Sequence, residues 1–197
     1  MARDRSNRPQ AKALRLFVAV EVPDDAKTAA AEAVAELRTR FPKARWARPE
    51  NQHVTLKFLG QTWPRLEGWV RERVGEAAAG VAPFEVHLDG LGAFRSSGQA
   101  RVVWVGLRDE PPGALADLAA AVDRSLVAEF GPERRGFSAH LTLARSDPPL
   151  ALQAADLERS VRPVAWEVDR VVLFRSHLQR PAPRYEVLQE FPLGPHA

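Results

Sequence analysis

The chain has 197 residues, of which 45% are hydrophobic and 27% charged, with a formal net charge of +3. These values are typical of an ordinary globular protein of one domain or two small ones, and no apolar run approaches the ~18 residues of a membrane span. Cysteine is absent, which excludes disulfides and thiolate metal sites. The basic, polar N-terminus lacks the apolar segment of a secretory signal, so we expect a cytoplasmic protein.

The basic residues are mostly arginine, because only four of the 28 lysines and arginines are lysine. Arginine binds phosphate bidentately and stacks on bases, so this bias favours an RNA-like partner. Codon usage in an Ala- and Arg-rich chain explains the same bias equally well. Composition therefore leaves the partner open.

Apolar periodicity and turn residues predict an alternation of strands and helices along the chain. Residues 1–13 are predicted to form a flexible basic arm. The predicted strands are residues 14–20, the segment ending at Gly60, residues 84–92 and 101–107 as a hairpin, the segment after residue 139, which Pro148 and Pro149 are expected to end, and residues 165–176 and 184–193. The predicted helices are residues 26–40, a helix beginning at Pro64, a third helix opened by Pro111-Pro112-Gly113 with an apolar stripe from Leu115 to Phe130, and a short helix over 150–160.

The predicted order nearly repeats when the chain is divided before residue 100. Each half holds a long helix, a strand, a shorter helix and a further strand, and no Gly- or Ser-rich linker separates the halves. We therefore predict one α+β domain over residues 14–197, with two lobes and a groove between them.

A four-residue pattern, His-x-Thr-x, occurs once in each half. The first copy is His53-Val-Thr55-Leu and the second is His140-Leu-Thr142-Leu. Successive side chains of a strand point to opposite faces, so the histidine and threonine of each copy share one face while the aliphatic residues point into the core.

Two imidazoles and two hydroxyls are suited to cleavage of a phosphodiester. In-line displacement needs a base on the attacking oxygen and an acid on the leaving oxygen, and histidine serves as either near neutral pH. Thr55 and Thr142 can donate hydrogen bonds to the non-bridging oxygens. One such motif is more often structural, but two copies at equivalent places in a duplicated chain favour a site.

Two basic residues near the motifs are further candidates for binding phosphate. Lys57 lies an even number of residues after His53 and Thr55, so alternation along the strand predicts that it points to the same face and lines the groove. Arg145 has the opposite parity to His140, so alternation predicts that it points away unless the strand bends.

Other kinds of site have weaker support. The two motif histidines fall short of the three or four ligands of a zinc site. The phosphate loops GxxxxGK[ST] and GxGxxG and the serine elbow GxSxG do not occur. His87 is expected to be solvated, His177 to lie in a loop and His196 in the tail. Trp46 and Trp104 are expected in the core, as are Phe17 and Phe174.

These segments together resemble a known family. RLFVAVEVP, RWARPENQHVTLKFLG, RVVWVGL, HLTLAR and RYEVLQEFPL occur in the order found in the RNA 2′,3′-cyclic phosphodiesterases of the 2H phosphoesterase superfamily, first called 2′-5′ RNA ligases. The likeness runs from about residue 14 to residue 193. It implies two lobes related by a pseudo-twofold axis, with antiparallel sheets flanking a central groove and helices outside.

The resemblance also implies roles for the motif residues. His53 would donate a proton to the 3′ leaving oxygen, and His140 would accept one from the attacking water. Thr55, Thr142 and Arg145 would hold the phosphate. The reaction would need neither metal nor cofactor, and it would convert an RNA terminal 2′,3′-cyclic phosphate to a 2′-phosphate.

Two alternatives remain open at this point. The same residues could run the reverse reaction, joining a cyclic phosphate to a 5′-hydroxyl through a 2′-5′ bond. The chain could also bind RNA ends without turnover. In every case the expected partner is an RNA end, with no membrane partner, and a monomer is expected.

Overall fold

The computed structural model describes residues 12–195, so the predicted basic arm lies almost entirely outside the described residues. The strands are β1 (Leu14–Glu21), β2 (Arg45–Trp46), β3 (His53–Thr62), β4 (Phe84–Ser96), β5 (Gln99–Glu110), β6 (His140–Leu150), β7 (Ala165–Val168), β8 (Arg170–His177) and β9 (Arg184–Pro192). The α-helices are α1 (Asp24–Ala33), α2 (Ala35–Arg40), α3 (Glu67–Ala79) and α4 (Ala114–Phe130). Short 3-10 turns lie at Pro49–Asn51, Pro64–Leu66 and Ala154–Asp156.

The strands form two antiparallel sheets. The first has the order β3-β1-β8-β9, and the second has the order β2-β6-β5-β4-β7. Each half of the chain contributes a strand to the other half's sheet, since β4 joins the second sheet and β8 joins the first. The predicted α+β class with two antiparallel sheets is confirmed.

One main core lies beneath both sheets and the helices. Alternate residues of the strands, such as Val18, Leu141 and Leu173, are fully buried in it. Helices α3 and α4 pack against each other and bury residues at helical spacing: Val70, Val74, Leu118, Val122 and Leu126. This apolar burial is the main stabilising contribution to the fold.

A second, smaller apolar cluster covers the opposite face of the first sheet. It consists of Phe17, Ala19, Val172 and Phe174, with Tyr185 packed against it. Both faces of the middle strands β1 and β8 are therefore buried. For this reason β1 shows a continuous apolar run rather than strict alternation.

The structure differs from the predicted elements in four places. The predicted helix over 26–40 is interrupted at Val34, which separates α1 from α2. The predicted helix over 150–160 contains only the turn Ala154–Asp156, in which the Asp156 carboxylate accepts hydrogen bonds from the Gln153 amide and from Arg40. The predicted hairpin of β4 and β5 is confirmed, with Ser97 and Gly98 in its turn at positive φ.

The other two differences depend on strand pairing. The predicted strand over 165–176 is divided at Asp169, because β7 pairs with β4 in the second sheet while β8 pairs with β1 in the first. Strand β6 continues through Pro148 and Pro149 to Leu150, which pairs with Ala100. β2 pairs with β6 only at Arg145 and Ala144, so these prolines lie where one edge of β6 has no strand partner and a missing N–H is tolerated.

Candidate active site

The two motif strands meet where the sheets approach each other. β3 is the edge strand of the first sheet, and β3 and β6 are in contact. In the second sheet, β6 pairs with β5 on one side and is covered on its outer side only by the two-residue β2. Val54 and Leu141 are buried in the main core, while the motif histidines and threonines are partly exposed. The alternation expected within each motif is therefore present, and the surface bearing the four polar side chains is called the groove below.

Both histidines are oriented by the same local hydrogen bond. His53 Nδ1 lies 2.8 Å from the carbonyl oxygen of Asn51, and His140 Nδ1 lies 2.7 Å from that of Ser138. A carbonyl oxygen can only accept, so Nδ1 of each ring carries the proton. Nε2 is left as the nitrogen that can accept or donate a proton in the groove.

The two motif strands pair with their neighbouring strands in equivalent ways. His53 and Thr55 lie opposite Glu21 and Ala19 of β1. In the second sheet, His140 and Thr142 lie opposite Gly106 and Trp104 of β5. The duplication inferred from the sequence therefore extends to the pairing of individual residues.

A β-bulge follows each motif at the same position. In the first sheet Ala19 pairs with Thr55 and Val18 with Lys57, so Leu56 is the extra residue. In the second sheet Trp104 pairs with Thr142 and Val103 with Ala144, so Leu143 is the extra residue. A bulge places two consecutive residues on one face and reverses the alternation beyond it. Accordingly, Leu143 and Ala144 are both buried.

The bulge returns Arg145 to the groove side. Alternation alone predicts that Arg145 points away from His140, but Arg145 lies beyond the extra residue and is exposed. Its positive charge lowers the pKa of both His53 and His140, which indicates that the guanidinium lies near both rings. In the first sheet the equivalent position is occupied by Phe58, whose side chain is 56% exposed.

The same reversal turns Lys57 into the core, contrary to the expectation from parity. Its side chain is 4% exposed and forms an ion pair with the Asp123 carboxylate of α4. The ammonium also donates a hydrogen bond to the Gly131 carbonyl oxygen at 3.0 Å. Lys57 therefore does not line the groove, because the bulge at Leu56 changes the face on which it lies.

Burial and charge lower the pKa of both histidines and so favour their neutral forms in the free protein. Burial lowers the pKa of His53 to about 4, with smaller contributions from the charges of Arg145 and His140, while the bond to Asn51 opposes the shift. Burial and Arg145 also lower the pKa of His140. The influence of one histidine on the other shows that the two rings are close enough to interact.

Aromatic rings surround each histidine. The His53 ring centroid lies 4.7 Å from that of Phe17 and 5.2 Å from that of Tyr185. The His140 ring lies 4.9 Å from Phe94, edge to face, and 6.3 Å from Trp104. These apolar neighbours displace water from the rings, which is the physical cause of the lowered pKa values.

Sequence reasoning did not find several of these groove residues. Trp104 was expected in the core, yet it lies opposite Thr142 on the groove face, and its indole covers Gly92, where a Cβ would lie 2.1 Å from the ring. The signal was present, because Val103 and Val105 are the core-facing residues of β5 and Trp104 alternates with them. No comparable alternation in the sequence indicated that Tyr185 or Phe94 would lie in the groove.

The other predicted residues lie away from the groove or in the core. His87 contacts Glu85 at 2.8 Å on the polar side of β4, and His177 contacts Glu186 at the end of β8. His196 lies outside the described residues. Trp46 packs on the main core, as expected, and its indole N–H donates to the Phe41 carbonyl oxygen at 3.0 Å.

The arrangement is suited to acid–base chemistry at an anionic centre. Two imidazoles with available Nε2 atoms approach from two sheets, each accompanied by a threonine hydroxyl, and one guanidinium lies near both. Such a set can remove a proton on one side of a phosphorus atom, supply one on the other and stabilise the charge between them.

Comparison with known proteins is consistent with this site. A model of the 2′-5′ RNA ligase superfamily matches residues 23–180. An RNA 2′,3′-cyclic phosphodiesterase of Geobacillus stearothermophilus is 32% identical over 184 residues, which cover 90% of this chain but only 56% of that protein. One from Methanothermobacter thermautotrophicus is 30% identical over 186 residues, covering 91% of this chain and 99% of that protein.

Solved structures of similar proteins share this fold. The crystal structure of TT0787 from Thermus thermophilus matches with a TM-score of 0.80 and 29% sequence identity. The match covers 93% of this chain and all of that one. The fold extends over nearly the whole described chain, including both motif strands.

Proposed function

Because the chain belongs to the 2′-5′ RNA ligase superfamily, we propose that it is an RNA 2′,3′-cyclic phosphodiesterase. It hydrolyses the 2′,3′-cyclic phosphate at an RNA end to a 2′-phosphomonoester, without a metal ion. The observation that carries this proposal is the pair of histidines, each held through Nδ1 by a backbone carbonyl two residues before it, on strands that meet in one groove.

In the proposed reaction, His140 acts as the base. Its Nε2 accepts a proton from a water molecule whose oxygen attacks phosphorus. The bond between phosphorus and the 3′ oxygen breaks, and His53 Nε2 donates a proton to that leaving oxygen. The products are a 2′-phosphomonoester and a 3′-hydroxyl. The assignment of donor and acceptor rests on the family resemblance, because the local geometry of the two histidines is nearly the same.

His53 must be protonated to act as the acid, although its pKa is about 4 in the free protein. An anionic phosphate in the groove opposes the positive charge of Arg145, which is one of the causes of that low pKa. Substrate binding therefore raises the pKa of His53 toward neutral pH, where a general acid works best. Thr55, Thr142 and Arg145 hold the non-bridging oxygens and offset charge in the transition state.

The decisive experiment is identification of the product from a defined RNA end. A purified sample in EDTA is incubated with a short RNA carrying a terminal 2′,3′-cyclic phosphate. We expect a 2′-phosphate product. A 3′-phosphate product would show that the bond to the 2′ oxygen breaks instead, which contradicts the proposed leaving group, and the absence of any turnover would contradict the proposed activity.

Two alternatives use the same groove. Ligation through a 2′-5′ bond is the reverse reaction with a 5′-hydroxyl in place of water, and the high concentration of water favours hydrolysis. Binding of RNA ends without turnover requires neither a base nor an acid, so it leaves the two matched histidines unexplained. A joined product from paired RNA ends, or binding without cleavage, would support these alternatives.

The proposed partner is an RNA end, and the protein is proposed to act as a monomer. The exchange of strands between halves supports one catalytic domain over residues 14–197, rather than two units. Within residues 12–195 no helix is long and apolar enough to cross a membrane. The cytoplasmic location expected from the sequence stays a prediction.

A further inference from the structure

We infer that Arg45, which lies opposite Arg145, forms a second phosphate-binding position in the groove, which contacts the phosphodiester next to the cyclic end. The preferred substrate is then an RNA chain rather than a single nucleoside 2′,3′-cyclic phosphate. This inference rests on the proposed function and deepens it, because it names the class of substrate.

Arg45 and Arg145 are direct cross-strand partners. In the pairing of β2 with β6, Arg45 lies opposite Arg145 and Trp46 lies opposite Ala144. Directly opposite residues point to the same face of a sheet. Ala144 is buried and Trp46 packs on the main core, so the two arginines share the other face, which is the groove side.

This arrangement is unfavourable without an anion. Like charges directly opposite each other in a sheet are destabilising. Within residues 12–195 neither guanidinium forms an ion pair or a hydrogen bond, whereas Arg40, Arg101 and Arg162 each contact a carboxylate. A phosphate between or beside the two guanidiniums would relieve the repulsion, and the planar guanidinium suits bidentate phosphate binding.

The backbone of Arg45 is held firmly although its side chain is exposed. The Trp46 indole packs on the core and bonds to the Phe41 carbonyl oxygen, and the Ala47 amide donates to the Leu143 carbonyl oxygen at 2.7 Å. Leu143 is the extra residue of the bulge that brings Arg145 to the groove. The same local structure therefore fixes the backbone positions of both Arg45 and Arg145.

The position of each arginine indicates which phosphate it meets. Arg145 shares strand β6 with His140, is returned to the groove side by the bulge at Leu143, and lowers the pKa of both histidines, so we assign it to the reacting phosphate. Arg45 lies one strand further out in the second sheet, on β2. A nucleoside cyclic phosphate carries one phosphate, which Arg145 binds. An RNA end carries another on the far side of the same ribose, and Arg45 binds that one.

The test compares two substrates in one assay. The rate constant kcat/KM is measured for a short RNA with a 2′,3′-cyclic end and for the matching nucleoside 2′,3′-cyclic phosphate. In Arg45→Ala we expect roughly 10- to 100-fold loss on the RNA, the size of a charged hydrogen bond, and less than about twofold on the nucleotide. Arg45→Lys should recover part of the loss. Arg162→Ala, which removes an equal charge outside the groove, should change neither.

A binding measurement separates this inference from the proposed function. Fluorescence anisotropy gives the affinity for a short RNA ending in a 2′-phosphate and needs no turnover. Arg45→Ala should weaken that binding and reduce the slope of log affinity against log salt by about one. Equal losses on both substrates, or wild-type affinity for the RNA, would overturn the role of Arg45. Failure of the wild-type protein to cleave either substrate would instead overturn the proposed activity.

Discussion

Lys57 of the first motif strand and Asp123 of α4 form a partly buried ion pair, in which the Lys57 side chain is buried, that joins the two halves of the candidate site. The same carboxylate accepts a hydrogen bond from the Glu133 amide at 3.0 Å, and the Lys57 ammonium reaches the Gly131 carbonyl oxygen. These contacts hold the segment that runs from α4 to His140. The strand bearing His53 is thus tied to the loop that delivers the second histidine.

Replacement of Lys57 by methionine should destabilise the protein by about 1–3 kcal/mol, because it leaves the partly buried Asp123 carboxylate without its cationic partner. Urea unfolding of wild type and variant at pH 7 measures the difference. Lys27→Met, which breaks an ion pair with a fully exposed carboxylate, serves as the control and should cost less than about 1 kcal/mol. Equal losses of unfolding free energy in the two variants would show that the Lys57–Asp123 pair stabilises the protein no more than the exposed pair does.

Each motif histidine should be required for catalysis. His53→Ala and His140→Ala are each expected to lower kcat by ~10²–10⁴-fold in EDTA, the usual contribution of a general acid or base. Formation of the 2′-phosphate product is the measurement. His87→Ala is the matched control, since His87 lies on β4 beside Glu85 and should leave the rate unchanged. Full activity in either motif variant would remove that histidine from the mechanism.

The low pKa of His53 should make the protein less stable in mild acid. The ring has a pKa near 6.5 when unfolded and about 4 when folded, so the unfolded state binds more protons between these values. The free energy of unfolding therefore falls as the pH drops through this window, by roughly 3 kcal/mol in total at about 1.4 kcal/mol per pKa unit.

His53→Gln should remove this contribution. Unfolding free energies at pH 7 and pH 4.5 are compared for wild type, His53→Gln and His87→Gln. His53→Gln should lose less unfolding free energy between pH 7 and pH 4.5 than the wild type or His87→Gln. An unchanged dependence on pH in His53→Gln would mean that another group is responsible.

Arg145 should control the protonation of both histidines. Its charge lowers both pKa values, so Arg145→Ala should raise them in the free protein. Titration of the ring signals by NMR is the measurement, and Arg162→Ala is the charge-matched control. Addition of inorganic phosphate should raise the pKa of His53 in the wild type. Identical titration curves in Arg145→Ala and wild type would place the guanidinium too far away to act.

The sequence by itself determined the local chemistry of this protein. The family resemblance drawn from HVTLKFLG, HLTLAR and the flanking segments is confirmed by the superfamily match. Strand and helix patterns, the hairpin of β4 and β5, and the inward direction of Val54 and Leu141 were also predicted correctly. These features follow from the alternation and spacing of apolar residues within one segment, which a single chain displays directly.

Only the tertiary structure decided which side chains reach the groove. The bulges at Leu56 and Leu143 arise from pairing with β1 and β5, segments distant in sequence, and they reverse the faces of Lys57 and Arg145. Pairing likewise divided residues 165–176 between two sheets. A bulge or a choice of partner strand depends on contacts between segments that are remote in sequence. The alternation of residues along a single strand carries no information about those contacts. For that reason the sequence could predict the two histidines as a catalytic pair, whereas the fold decided which of their basic neighbours lies on the same side as they do.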